Sequence, residues 1–156
     1  MGLPRPILRL VVDANIVIAA LLRDSTARRI VMDDRLRLWA PSDILEETEK
    51  HLDEISRRGG RPAQETRRLL ESILDYVVLV EREALEPHFE EAELLLAARD
   101  PSDAPYVAVA LSQGLGGVWS DDPDFRAQDR VKVYTTPELV FILPPFPNRN
   151  EERQLD

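Results

Sequence analysis

At 156 residues the chain is long enough for one domain with a sizeable core, and 44% apolar and 31% charged residues fit a soluble globular protein. No apolar run approaches the roughly 20 residues of a membrane span, no signal-peptide pattern opens the chain, and the lack of cysteine excludes disulfides and thiolate metal sites, so a cytoplasmic location is the default. The net charge of −9 argues against a general nucleic-acid binder, an objection that weakens if several acids converge on bound divalent ions.

Residues 1–6, with Pro4 and Pro6, form a lead-in. Residues 7–12 are apolar almost throughout, as a strand buried on both faces should be. Asp13 follows it, and Ile16, Val17, Ala19, Ala20 and Leu21 suit a helix. Ser25 or Thr26 is placed to cap a short helix through Asp33. Residues 36–40 read as a second strand. Ser42 or Asp43 is expected to cap one continuous helix with Ile44, Leu45, Thr48, Leu52 and Ile55 as its stripe, stopped by Gly59-Gly60. Pro62 opens another helix, with Leu69, Leu70, Ile73 and Leu74 inward.

Residues 76–80 form the third expected strand. A helix over residues 84–98 follows, with Pro87 in its first turn and Leu94, Leu95 and Leu96 packing inward. Asp100-Pro101-Ser102-Asp103 makes a turn and helix start, and residues 106–111 form a buried helix ended by Gly114 to Gly117. Residues 118–120 and 131–134 are the last two strands. Thr136-Pro137-Glu138 has the order of cap, proline and acid at a helix start. Residues 1–143 then make one domain and residues 144–156 a polar, proline-rich tail. Strands alternating with helices predict a three-layer α/β/α sandwich on a mainly parallel five-stranded sheet.

Four acidic groups fall at expected strand ends or helix starts: Asp13, Glu46/Glu47, Asp100/Asp103 and Asp121/Asp122/Asp124. In a parallel sheet these positions share one edge, where ligands bind. A lone acid usually caps a helix or fills a turn, as Asp103, Asp122 or Asp124 would. Four groups on one edge repel one another unless a hard cation such as Mg²⁺ or Mn²⁺ offsets the charge. Asp13, Asp103 and Asp122 are the expected direct or water-mediated ligands, with Glu47 a further ligand or the group that orients a water. Asn15 and Ser120 are placed to hydrogen-bond these carboxylates. His51, one helical turn past Glu47, has the chemistry of a general base, but surface exposure is its simplest role.

The motifs Val11-Val12-Asp13-Ala14-Asn15, Ser42 through Glu47, Asp100-Pro101-Ser102-Asp103 and Trp119-Ser120-Asp121-Asp122-Pro123-Asp124-Phe125 together resemble the PIN-domain family of metal-dependent nucleases, over about residues 7–141. The resemblance places the family's four acids on Asp13, Glu47 (with Glu46 as the register alternative), Asp103 and Asp122. Asn15, Asp100, Ser120 and Asp124 are then accessory. It implies hydrolysis of RNA phosphodiester bonds, a toxin role in a toxin–antitoxin module with an antitoxin protein as partner, and a homodimer. Other readings start from the same strand-end aspartate. An aspartyl-phosphate phosphatase wants a second Asp where Asn15 stands, and both it and a receiver domain want a site lysine, for which only Lys50 and Lys132 exist. The six glycines spell neither a P-loop nor a dinucleotide fingerprint. A non-catalytic PIN-like interaction protein is the remaining alternative, and the retained acids argue against it. Arg28, Arg29, Arg35, Arg37, Arg57, Arg58, Arg61, Arg67 and Arg68 form clusters that suit solvated helix faces or contacts to RNA or an acidic partner.

Overall fold

The computed structural model describes residues 8–22, 25–96 and 100–143. The expected lead-in, Ile7 of the first strand, the end of the helix drawn to Ala98 and the tail from Pro144 lie outside the described residues. Strands β1 (Leu8–Val12), β2 (Leu36–Pro41), β3 (Val77–Val80), β4 (Gly117–Trp119) and β5 (Val133–Tyr134) form one sheet in the order β3-β2-β1-β4-β5. Every pairing is parallel. Leu10, Val11 and Val12 at its centre are wholly buried, because helices cover both faces.

The helices are α1 (Ala14–Leu22), α2 (Thr26–Val31), α3 (Ile44–Glu49), α4 (Leu52–Gly59), α5 (Ala63–Leu74), α6 (Arg82–Leu95), α7 (Ala104–Gln113) and α8 (Thr136–Ile142). Helix α7 packs on β1, β2 and β4 and against α6, while α1 packs against α2, α3, α4 and α5. The result is the expected three-layer α/β/α sandwich, with a sheet that is parallel throughout. The chain winds outward from β1 through β2 to β3, then returns to the other side of β1 as β4. Connections therefore leave β1 and β4 in opposite directions and open a crevice at their carboxyl ends.

Several elements differ from the expectation in their bounds. The helix expected to run unbroken from residue 44 past 55 is two, α3 and α4, separated at Lys50 and His51. The Thr48 hydroxyl donates to the carbonyls of Ile44 (2.8 Å) and Leu45 (3.0 Å), a back-bonding that bends helices. The His51 amide then closes onto the Thr48 carbonyl, one residue tighter than an α-helical bond. Neither Ser42 nor Asp43 caps α3 through its side chain, whereas Ser25 does cap α2, which stops at Val31.

Helix α6 begins at Arg82, so Pro87 lies inside it and removes the amide that would have met the Glu83 carbonyl. Leu94 is 70% exposed, while Leu96 is buried. Tyr76 precedes β3 instead of joining it, and β5 is shorter than the expected 131–134. Thr135, not Thr136, caps α8 by accepting from the Glu138 amide.

Gly117 has no room for a side chain. A Cβ there would collide with the Lys132 carbonyl oxygen beside β5, to which the next amide, of Val118, donates at 2.8 Å. Gly117→Ala is therefore expected to displace β5 and destabilise the fold by about 2–3 kcal/mol. That corresponds to a thermal midpoint lower by about 5–10 °C. An unchanged melting curve would show that β5 yields freely.

Candidate active site

Asp13 is the first residue beyond β1. Its amide donates to the Trp119 carbonyl and carries the β1–β4 pairing one residue further, into the crevice. Its carboxylate is buried: Oδ2 accepts from the Ser120 hydroxyl at 2.8 Å and Oδ1 accepts from the Asn15 amide at 3.5 Å. Burial pushes the Asp13 carboxyl up; Ser120 and Asn15 oppose this, and the nearby charges of Asp122 and Glu47 reinforce it. The buried Ser120 hydroxyl also accepts from the Asp122 amide at 3.0 Å. One side chain thus ties the ends of the two central strands together.

Asp122 caps a 3-10 turn over Pro123–Ala127, accepting from the Asp124 amide at 2.9 Å. The tight turn brings the Asp124 carboxylate beside it. Asp103 closes another 3-10 turn, Pro101–Asp103, at the start of α7. It makes no side-chain cap there, so capping does not explain it. Its Oδ2 is buried without a hydrogen-bond partner. Burial, then Asp13, Asp100, Asp122 and Asp124, push its carboxyl up to about 7.

Glu47 reaches the same crevice from α3. Its Oε2 accepts from the Tyr106 hydroxyl at 3.0 Å. Burial raises its carboxyl, Tyr106 and Lys50 oppose, and Asp43 and Asp100 add to the rise. Glu46, next in sequence, is exposed and has no such contact. Tyr106 is buried on α7 and meets the Phe125 ring edge-on, with centroids 6.5 Å apart. It therefore joins α3, α7 and the 123–127 turn. From the sequence it read as part of an apolar helix. The available signal was its hydroxyl, three residues after Asp103 on the same helix face, since a buried phenol needs a partner.

The structure gathers Asp13, Glu47, Asp103, Asp122 and Asp124 at the sheet edge and leaves other candidates on its rim. Asp100 is exposed and spends Oδ1 on the Ser102 amide (2.9 Å) and hydroxyl (2.7 Å), which hold its carboxyl below the usual range. Asn15 engages Asp13 through its backbone, and its side chain is exposed. Asp121 turns away: its two oxygens accept from the amide and hydroxyl of Thr136, both at 2.7 Å. The Thr136 hydroxyl in turn accepts from the Trp119 indole N–H at 3.0 Å.

Asp103, Asp122 and Asp124 each offer an oxygen, and these atoms all lie within 4.8 Å of one another. Three convergent carboxylates, one with a buried unpaired oxygen, form a hard-oxygen donor set suited to a divalent cation. Asp13, whose oxygens accept from the Ser120 hydroxyl and the Asn15 backbone amide, borders that set and adds negative charge.

A parallel α/β sandwich with an acidic, metal-competent crevice at its topological switch point has the architecture of a metal-dependent α/β enzyme. A family profile described as PIN domain matches residues 11–141. The chain belongs to the PIN-domain family, whose members are generally nucleases using divalent metals. Among curated proteins, none matches it. No helix among the described residues is long and apolar enough to cross a membrane.

Proposed function

We propose that this protein is a divalent-metal-dependent endoribonuclease that hydrolyses RNA phosphodiester bonds, the toxin of a type II toxin–antitoxin module. The observation that carries the metal-dependent part is the Asp103–Asp122–Asp124 set, with the unpaired Asp103 Oδ2 within it. These three residues would hold Mg²⁺ or Mn²⁺, with Asp13 completing the negative field. A bound divalent cation supplies Lewis-acid polarisation of water and phosphate.

The protein's own groups do the rest. Ser120 fixes the Asp13 carboxylate while orienting the Asp122 backbone. Tyr106 holds Glu47 by one oxygen and leaves the other to accept a proton from the attacking water or to orient it. RNA as substrate, an antitoxin as partner and a homodimer follow from the resemblance to toxin members of the family.

The test is incubation of the purified protein with single-stranded and structured RNA in Mg²⁺, Mn²⁺ or EDTA. Internal cleavage in metal and none in EDTA is the expected result. Cleavage that persists in EDTA overturns the metal mechanism, and intact RNA in every condition favours the interaction-protein alternative. Growth arrest on expression, relieved by co-expressing a short neighbouring reading frame, tests the toxin assignment separately.

A further inference from the structure

A cleft of about 230 Å³ adjoins the acidic crevice and is lined by Ala14, Asn15, Ile18, Glu47, Lys50 and His51. We infer that it is a subsite for the phosphate and sugar next to the scissile bond of an RNA strand. This deepens the ribonuclease reading and rests on it.

The crevice is built of carboxylates, and an RNA strand crossing it meets repulsion everywhere except at bound cations. The strand therefore needs a cationic contact one step away from the metal-competent acids. Glu47 lines the cleft beside Lys50 and His51, and its charge is also felt by Asp13 in the crevice, so it belongs to both. A strand with one phosphate at Asp103, Asp122 and Asp124 has Lys50 and His51 beside Glu47 for the next.

Some of the clustered arginines are committed within the fold. Arg67 pairs with Glu49 at 2.8 Å, Arg61 donates to the Leu21 carbonyl at 3.1 Å, and Arg28 donates to the Ala20 carbonyl at 2.8 Å. Lys50 is in no ion pair among the described residues and is exposed. His51 is the residue before α4; its side chain makes no cap there and is exposed along the cleft.

The helix break is what creates the place. Had α3 run on into α4, Lys50 and His51 would be interior helical positions. Separated at Thr48–His51, they sit at a corner facing α1 across the cleft. Ala14 and Ile18, one turn apart on α1, give it an apolar side that suits the sugar and base edge, and the exposed Asn15 side chain adds a polar group. The volume is smaller than cavities that enclose whole small ligands, and it matches one unit of a strand passing through.

The experiment compares Lys50→Ala and His51→Ala with wild type on two substrates: a single-stranded RNA oligonucleotide and bis(p-nitrophenyl) phosphate, which has no flanking phosphate. Binding of labelled RNA with Ca²⁺ in place of Mg²⁺, followed by fluorescence anisotropy across a salt series, is read alongside. The ratio of kcat/KM for RNA to that for the small diester is expected to fall about five- to tenfold, mainly through KM. The salt slope of RNA binding is expected to shrink by about 0.7 for each lost phosphate contact. An unchanged ratio and slope overturn the subsite, and so does an equal loss on both substrates, which would place Lys50 and His51 in the chemistry itself. A wild type that cuts neither substrate overturns the ribonuclease reading instead, and the anisotropy slope then decides the subsite alone.

Discussion

Asp103→Asn is expected to lower metal-dependent RNA cleavage by about a thousandfold, equivalent to about 4 kcal/mol of barrier, while raising the melting temperature of the metal-free protein. Both effects come from one carboxylate. Its Oδ2 is buried with no partner, and its charge faces Asp13, Asp100, Asp122 and Asp124. The amide keeps the shape and removes the charge, so the metal-free fold loses repulsion and the donor set loses one of its three anionic members. Asp103 is half-buried, and water screens part of the gain. The expected rise is about 2–4 °C, the response of a domain this size to roughly 1 kcal/mol. Melting in EDTA and single-turnover cleavage in Mn²⁺ measure the two halves. A variant that melts lower in EDTA would show that Asp103 supports the fold, and one that still cleaves at the wild-type rate would remove it from the site.

The second large effect is a pH dependence that metal abolishes. The carboxyls of Asp13, Glu47 and Asp103 are all raised in the folded protein, Asp103 to about 7. A carboxyl raised by folding binds its proton more tightly folded than unfolded. Its unfavourable contribution is absent below the unfolded value near 4, grows as pH rises, and is complete above the folded value. In EDTA the protein should therefore melt higher at about pH 5.5 than at about pH 8. Asp33 acts in the opposite sense, because the Arg35 guanidinium holds its carboxyl down, but its stabilising contribution is complete and constant from about pH 5.5 to 8 and is lost only at lower pH. Saturating Mg²⁺ or Mn²⁺ should raise the midpoint most at the higher pH and flatten or reverse the trend, since the cation binds the ionised acids. A melting temperature that climbs from pH 5.5 to 8 in EDTA would mean that the acids are not crowded in solution.

Strand ends were the most readable part of the sequence. The apolar run before Asp13 and the short apolar run before Ser120 announced strands buried on both faces, and parallel topology alone then placed their following residues at one edge. Glu47 over Glu46 was a matter of helix register that spacing left open. The structure picks out the residue that meets a partner 59 positions later, the Tyr106 hydroxyl. The same limit explains Asp121, whose partner Thr136 arrives 15 residues on and is invisible to any local pattern. Helix continuity from α3 to α4 was misleading because the apolar stripe of Ile44, Thr48, Leu52 and Ile55 persists across the break. Periodicity records which face is buried and is blind to a threonine hydroxyl that competes for backbone carbonyls.

The clasp of Asp121 on Thr136 has a consequence for how such a motif is read across diverging sequences. An acceptor at 121 serves a donor at 136, and through it the indole of Trp119, so the first two positions answer to each other and only indirectly to the chemistry. They can drift as a pair, one exchange licensing the other, without touching the acids that face the crevice. Asp103 has no such counterpart to drift with, because its buried Oδ2 meets no donor among the described residues. A run of acids such as Asp121-Asp122-Pro123-Asp124 therefore overstates by one the acids that converge with Asp103, and the residue to discount is the one whose partner lies at the start of another helix.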